Sequence, residues 1–414
     1  MRRSSSSNEP VLARNRLSGA GFVVAFGVVS LLADFVYEGA RSVVGPYLAT
    51  LGAGAGVVGV VSGAGEAVAL LLRVPFGVLS DRTRRYWGLS ILGYLLTIAS
   101  VPALALTRAL PAAVTLTLTE RLGKAVRTPA RDTMLSHATE SMGRGWGFAI
   151  HEAMDQTGAV AGPLVVALAV GVWGGYRPAF ALLALPTVLA AAVLGWLRVA
   201  APHPERYEEV EERAQRPSLG SLFRRRGLRV YVLFALAAMS GYASFALLSY
   251  HLQVEHVLPQ AQIPLVYALA MGVDAVAALA AGRLYDRVGL LSLAPVPVLT
   301  AAVPFLSFST GATLVWVGAG LWGVVMGIQE STMRAAVADL VPPGARGTAF
   351  GFFNGAYGMG LLAGGALIGW LYQVSIDAAI YFVVAVEAVA SAIFVVLLRM
   401  RDDATTRGLA GKRQ

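Results

Sequence analysis

The chain has 414 residues, of which 56% are hydrophobic and only 14% are charged. Roughly a quarter of the residues in soluble domains are charged, so this composition excludes a single soluble core and predicts a surface that faces the lipid bilayer. The net charge of +9 would favour a nucleic-acid partner in a soluble protein, and the absence of cysteine excludes disulfides, thiolate metal sites and cysteine nucleophiles.

Twelve apolar windows are long enough to cross a membrane, which takes about 20 mostly apolar residues. The first contains acids and is longer than a signal-peptide core, so we expect it to be retained. We predict an all-α membrane protein with spans at 18–49, 57–79, 87–107, 111–135, 145–172, 178–198, 229–252, 262–284, 291–310, 312–339, 346–371 and 377–398. The expected parts are an N-terminal tail (1–16), an N-terminal six-helix bundle (17–200), a linker (201–228), a C-terminal six-helix bundle (229–398) and a C-terminal tail (399–414).

The first two spans contain acids, which a membrane interior tolerates only when they are paired or face a cavity. Glu66 lies in the second span, whereas Asp34 and Glu38 lie one helical turn apart in the first and share a face. Two carboxylates this close cannot both ionise cheaply at low dielectric, so we expect one of them, the deeper Asp34, to carry a proton. The alternative is a structural pair neutralised by Arg41 and a neighbouring helix.

The fourth span carries a stripe of basic residues within about 120° of arc, counted at about 100° per residue. The stripe consists of Arg121, Lys124, Arg127 and Arg131, with Glu120 and Asp132 at its margins. It predicts either a site for an anionic substrate or a charge relay. The alternative is a set of salt bridges to Asp81, Glu152 and Asp155 that locks a cytoplasmic gate.

The fifth span contains His151-Glu152-Ala-Met-Asp155, which resembles the His-Glu-x-x-His pattern of zinc peptidases. Asp155 replaces the second histidine, and a zinc site takes three or four protein ligands, so we expect no metal and no cofactor. His151 and Asp155 share a helical face, which would let the carboxylate stabilise an imidazolium and make a proton relay. The alternative is a buried histidine with a structural hydrogen bond.

The distribution of lysine and arginine predicts the orientation of the chain. With the N-terminus inside, 24 of these residues lie in cytoplasmic loops and tails and two, Arg108 and Arg177, lie outside. Cytoplasmic loops of membrane proteins carry this excess. We therefore expect both termini in the cytoplasm, and we attribute the net positive charge to topology rather than to nucleic-acid binding.

Two stretches of sequence recur at about half the chain length. Gly77-Val-Leu-Ser-Asp81-Arg82 recurs as Gly282-Arg-Leu-Tyr-Asp286-Arg287, an offset of 205, and the glycines at 158 and 162 recur at 360 and 364, an offset of 202. Six spans in each copy make the repeat parallel, with a site expected between the halves near the bilayer midplane.

These residues resemble the major facilitator superfamily over about 18–398. Its signature between helices 2 and 3 is Gly-x-Leu-x-Asp-Arg-x-Gly-Arg-Arg; here Arg84 replaces the second glycine. In that family the aspartate pairs with basic residues and latches the outward-facing state. The resemblance implies a gating loop formed by Gly77, Asp81, Arg82 and Arg85, with a second copy at Gly282, Asp286 and Arg287. For the arginines the alternative is simple anchoring at the membrane surface.

Gly158-Ala-Val-Ala-Gly162-Pro163 resembles the Gly-x-x-x-Gly-Pro motif of the family's exporters, most of which are proton-driven antiporters of drugs or metabolites. The glycine pair that usually follows is replaced by Val166 and Ala167. Arg121 resembles the helix-4 arginine implicated in proton transfer in those exporters. The resemblance implies export, and the alternative is that the glycines only form a packing face.

We predict a proton-coupled exporter of a small organic molecule in the cell membrane, monomeric as is usual in the family, rather than an enzyme. The alternatives are an importer or uniporter with structural charges and an intramembrane hydrolase built on His151 and Glu152. The candidate proton-coupling residues are Asp34, Glu38, Glu66, Glu120, His151, Glu152 and Asp155, and the candidate substrate or relay residues are Arg41, Arg121, Lys124, Arg127, Arg131 and Asp132.

Overall fold

The computed structural model describes residues 15–139, 143–207, 225–341 and 346–410. Helices dominate these residues, and no strand occurs among them. Most of the predicted N-terminal tail and linker residues 208–224 lie outside the described residues. We refer to 15–207 as the first half and to 225–410 as the second half.

The helices of the first half are mostly long, and three predicted spans are each divided between two helices. They are α1 (Gly19–Arg41), α2 (Val44–Thr50), α3 (Ala55–Leu71), α4 (Arg73–Thr83), α5 (Tyr86–Ala103), α6 (Leu110–Ala138), α7 (Arg144–Trp173), α8 (Tyr176–Leu182) and α9 (Ala184–Ala200).

The second half begins with a divided helix and ends with one that continues beyond the predicted span. Its helices are α10 (Arg226–Ser240), α11 (Phe245–Val254), α12 (Ile263–Val288), α13 (Val296–Ser307), α14 (Ala312–Leu340), α15 (Arg346–Val374) and α16 (Ile376–Ala410).

Ten helical stretches of the described chain are long and apolar enough to cross a membrane. Two of the twelve predicted spans fall outside this set for different reasons. α6 has 29 residues but carries the basic stripe, which lowers its hydropathy, whereas α13 is apolar but has only 12 residues. The described chain is therefore an all-helical, multi-pass membrane protein.

The glycines of the fifth predicted span allow α7 to pack closely on α1. A Cβ added at Gly158 would overlap the backbone of Leu31, and one added at Gly162 would overlap the backbone of Phe35. Small residues spaced four apart permit this approach of two helix backbones. The structure therefore contains the helix packing that was the alternative interpretation of the glycine motif.

The same contact recurs in the second half, where α15 packs on α10. Gly360 approaches the backbone of Leu236, and Gly364 approaches that of Ser240. Leu236 and Ser240 follow Leu31 and Phe35 at the offset of 205 read from the sequence. The internal repeat thus corresponds to a repeated helix pair.

Glycine contacts also join the two halves. Gly59 on α3 approaches Gly365 on α15, and Gly45 on α2 approaches the carbonyl group of Ala246 on α11. The breaks that precede α2 and α11 lie in corresponding parts of the two halves, at 42–43 and 241–244. Irregular backbone at membrane depth is tolerated where protein or a cavity covers it. The second break adjoins the cavity described next.

Candidate functional site

A cavity of about 250 Å³ lies between the two halves. Its walls come from α1, α3, α4, α6 and α7 of the first half, and from α12, α14, α15 and the break before α11 of the second. Eight acidic and six basic side chains line it, and most of them belong to the first half. The acids are Asp34, Glu38, Glu66, Asp132, Glu152, Asp155, Asp274 and Glu330, and the bases are Arg41, Arg73, Lys124, Arg127, Arg131 and Arg334.

Three cations converge on the phenol oxygen of Tyr37. Arg121 donates a hydrogen bond to it, Arg41 Nη1 lies 3.3 Å away and Lys124 Nζ lies 3.2 Å away. Glu66 supplies the negative charge: its Oε1 lies 3.0 Å from Arg41 Nη2 and 3.1 Å from Arg121 Nη1. Lys124 has no carboxylate within ion-pairing distance in the described chain and instead lies 4.2 Å from the centre of the Tyr37 ring. The N-terminal part of the basic stripe, Arg121 and Lys124, therefore contacts α1 and α3.

Two further acids flank this group, and each has a different arginine. Glu120 Oε2 lies 3.2 Å from Arg121 Nε, and Glu38 Oε1 lies 3.6 Å from Arg41 Nη1. Glu38 also accepts a hydrogen bond from the hydroxyl group of Tyr267 on α12. Glu38 thus joins the charged network of the first half to the second half.

Asp34 faces the cavity with a partner of its own. Its Oδ1 lies 3.6 Å from Arg127 Nη2. Arg127 is 1% exposed, and its guanidinium group lies 4.5 Å from the centre of the Tyr94 ring. Asp34 and Glu38 share a face of α1, as predicted, but they are bound to different arginines on α1 and α6.

The C-terminal end of the stripe, Arg131, contacts α7. Arg131 Nε lies 2.9 Å from Asp132, and Arg131 Nη1 lies 3.8 Å from Asp155. Asp155 also lies 3.4 Å from Nδ1 of His151, whose Nε2 lies 3.0 Å from the hydroxyl group of Ser30. His151 and Asp155 therefore contact each other, as their spacing predicted, and connect α7 to α1 and α6.

Glu152 lies apart from the other two residues of the predicted zinc-like pattern. It is exposed to the cavity, whereas His151 is buried against Ser30. No group of three or more histidine, aspartate or glutamate side chains in the described residues is arranged to hold a metal ion. The three polar residues of the pattern therefore do not converge on one point.

The signature after the second span lies mainly on a helix rather than in a loop. Gly77, Asp81 and Arg82 belong to α4, and the chain turns only at Arg84, whose φ of 52° is left-handed. A left-handed residue ends a helix, and nothing before Arg84 does so. Asp81 is half-buried, whereas Arg82 and Arg85 are exposed.

The second copy of the signature ends α12. Gly282, Asp286 and Arg287 lie in its last two turns, and Gly289, with a φ of 60°, follows. Asp286 and Arg287 are exposed and border a surface groove with Asp339 of α14. Both copies thus lie at a helix end outside the cavity.

Several residues in or beside the cavity were not singled out from the sequence. Tyr37 and Tyr267 lie on helical faces where a tyrosine usually indicates packing, and Gln156 lies next to the acids of α7 without a charge of its own. Asp274 and Glu330 can be recognised as candidates from the sequence, because each is an ionisable group inside an apolar span. The sequence placed them in the membrane without indicating which helix they face.

The chain matches the family model described as Major Facilitator Superfamily over residues 26–332 and 230–414. It is 48% identical over 384 residues to an uncharacterised protein of Mycobacterium tuberculosis, a match that covers 91% of this chain and 93% of the relative. It is 26% identical over 370 residues to an uncharacterised MFS-type transporter of Methanocaldococcus jannaschii, covering 85% of this chain and 89% of the relative.

Solved structures with a similar fold include the nucleoside transporter NupG, with a TM-score of 0.72 and 12% identity over 92% of this chain and 98% of that one. A bacterial homologue of the human lysosomal transporter Spinster superposes with a TM-score of 0.71 and 15% identity, covering 91% of this chain and 96% of that one. At these identities the structures bear on the fold alone.

Proposed function

This chain belongs to the Major Facilitator Superfamily, and on that premise we propose that it is a proton-coupled secondary transporter that exports a small organic molecule across the cell membrane. The resemblance to this superfamily, which rested on two motifs that recur about half a chain length apart, is thereby confirmed. The observation that carries the proposal is the charged cavity between the halves, because ionisable groups at membrane depth are costly and persist where they serve transport.

The proposed mechanism is alternating access between two six-helix bundles, with α6 and α13 completing twelve spans. Asp132, whose side chain is 46% exposed, lies at one end of the cavity. The orientation expected from the basic loops puts that end towards the cytoplasm and both termini on the same side. Contacts between α2 and α11 cover the opposite end. In this assignment the structure is the inward-open state of a monomer.

Asp34 is the proposed proton carrier. It lines the cavity and pairs with one arginine of the described chain, at 3.6 Å, so protonation breaks one loose ion pair there. Glu66, which two arginines hold at 3.0 and 3.1 Å, is a structural counter-ion in this scheme. Glu38 is the second exchangeable site, because its protonation alters its hydrogen bond to Tyr267 and therefore the contact between halves.

The remaining charges of the first half divide into two proposed roles. Arg127 and Arg131 respond to the charge of Asp34 and Asp155, which makes them the relay. Among the described residues Lys124 has a phenol partner but no carboxylate, so in this proposal it is available to an anionic group of the substrate. Asp81 and Asp286, at the helix ends outside the cavity, are the proposed gating residues.

Export is the part of the proposal that rests on the Gly158–Pro163 motif. Its two glycines bring α7 against α1, the helix that carries Asp34, so the motif sets the position of the proposed proton carrier. Protons entering along their gradient would then exchange for the substrate.

The test is a transport screen that needs no prior substrate. Proteoliposomes loaded with small amines, carboxylates, sugars and nucleosides are placed in acidic medium, and mass spectrometry follows what leaves. We expect at least one compound to leave about tenfold faster than without the pH gradient. Equal release without a gradient would indicate a uniporter, and release slowed by the acidic medium would indicate a proton-coupled importer. No protein-dependent movement would contradict transport.

A further inference from the structure

Three carboxylates of the cavity have no basic partner among the residues that the structure describes. Glu152, Asp274 and Glu330 line it, and none of them is within ion-pairing distance of a lysine or arginine in the described part of the chain. The other five acids of the cavity all have such an arginine. Asp274, Glu330 and Glu152 are also close enough to repel one another. Uncompensated charge in a buried site favours a positive charge from outside the chain.

Asp274 is the most enclosed of the three. It is 1% exposed, and its Oδ2 accepts a hydrogen bond of 3.4 Å from Nε2 of Gln156. Its Oδ1, and Oε1 of Gln156, have no hydrogen-bond partner among the described residues. Both atoms are acceptors, and a buried acceptor without a donor is costly. A ligand that donates hydrogen bonds would satisfy them.

Tyr242 gives a second indication of a ligand site, and this one does not depend on the acids. It is 7% exposed and lines the cavity, yet its hydroxyl group has no partner among the described residues. Its ring stacks on Trp322 at 5.4 Å, which holds the hydroxyl in place. Tyr242 lies in the break between α10 and α11, where the chain is not helical. An aromatic ring beside acids is a favourable place for a cation.

The nearby basic residues do not neutralise Asp274, Glu330 and Glu152. Arg334 lies one turn from Glu330 on α14 and acts on it electrostatically without forming an ion pair. Lys124 and Arg41 act on Glu330 from the first half, where both donate hydrogen bonds to Tyr37 and where Glu38 and Glu66 pair with Arg41. The positive groups of the cavity thus lie mainly on the side of the first half.

We propose that the face formed by Asp274, Glu330, Glu152 and Tyr242 binds a protonated amine of the transported molecule. The inference rests on the proposed function and names its substrate class. An ammonium group donates up to three hydrogen bonds, which suits two carboxylates and a phenol oxygen. The cavity volume of about 250 Å³ is near the lower end of the range for ligand pockets in proteins, which suits a small amine.

Matched pairs of small molecules test the proposal on the purified full-length protein. The probes are 1,4-diaminobutane against 1,4-butanediol, and phenethylamine against 2-phenylethanol, with succinate as the anion of similar length. Thermal unfolding, followed by tryptophan fluorescence, gives an apparent Kd for each. We expect at least one amine to raise the unfolding temperature saturably, with no effect of its alcohol or of succinate.

Variants then assign the effect to this face. Asp274→Asn should raise the apparent Kd for the amine about tenfold and Glu330→Gln severalfold, whereas Tyr242→Phe removes only the hydroxyl group and should cause a smaller loss without disturbing the fold. The control is Glu387→Gln on α16, since that carboxylate is 1% exposed and lies outside the cavity. The unfolding temperature of each variant without ligand shows whether it folds.

Several results would overturn the amine site: no stabilisation by either amine, equal stabilisation by an alcohol or succinate, or full retention of the effect in folded Asp274→Asn and Glu330→Gln. The transport screen separates this failure from failure of the proposed function. Gradient-driven release of a compound without an amine would refute the amine site and leave proton-coupled export standing.

Discussion

Tyr37 is the residue on which the charge network of the first half depends. Its oxygen accepts hydrogen bonds from Arg41, Arg121 and Lys124, and its ring lies beside all three cations. Because Lys124 has no carboxylate nearby in the described chain, the phenol is its hydrogen-bond partner there. A buried ammonium without an acceptor is more costly than one lost hydrogen bond suggests.

Replacing Tyr37 by phenylalanine should therefore destabilise the protein by about 1–3 kcal/mol, because three buried donors lose one shared acceptor. The measurement is thermal or denaturant unfolding in detergent. Tyr381→Phe is the matched control, since Tyr381 is 69% exposed and should tolerate the loss of its hydroxyl group. Equal stability of Tyr37→Phe and the wild type would show that the cations find other acceptors.

At the scale of helices, the close packing of α7 on α1 depends on Gly158 and Gly162. A methyl group at either position meets backbone atoms, which cannot move aside as a flexible side chain can. The same packing of α15 on α10 makes this a feature of both halves rather than of one motif.

Gly162→Ala should destabilise the protein by about 1–3 kcal/mol, the usual cost of overpacking. Gly195→Ala on α9 should do the opposite: no atom lies within 4 Å of the added Cβ, and alanine favours a helix by about 0.5–1 kcal/mol. Thermal unfolding of the two variants measures both signs. A stable Gly162→Ala would mean that α7 can shift away from α1 without loss.

The sequence predicted where the helices lie better than it predicted which residues of different helices contact each other. Apolar length located the spans, and the offsets of 205 and 202 located the repeat. The break at 241–244, Gly-Tyr-Ala-Ser, was not predicted because single glycine and serine residues also occur inside the helices of this chain. The partners of Asp34 and Glu38 were not predictable either, since periodicity shows that they share a face but not that Arg127 approaches one and Tyr267 the other.

Across the whole molecule, charge is distributed unequally between the halves and their interface. Within the first half, arginines form ion pairs with Asp34, Glu38, Glu66, Glu120, Asp132 and Asp155. The hydrogen bonds Tyr267–Glu38 and Gln156–Asp274 cross the interface, each with one neutral partner. A hydrogen bond with one neutral partner is cheaper to exchange for water than a buried ion pair, whose separation exposes two opposite charges. This distribution suits two halves that separate and rejoin in each transport cycle.

The most direct test of proton-coupled export measures both fluxes together in proteoliposomes, with a compound identified by the screen and an internal pH-sensitive dye. The wild type should take up protons as the compound leaves, and so should Glu387→Gln. Asp34→Asn should lose the proton flux and the acceleration by acidic medium while still binding the compound. Unchanged proton flux and gradient-driven release in Asp34→Asn would contradict the account.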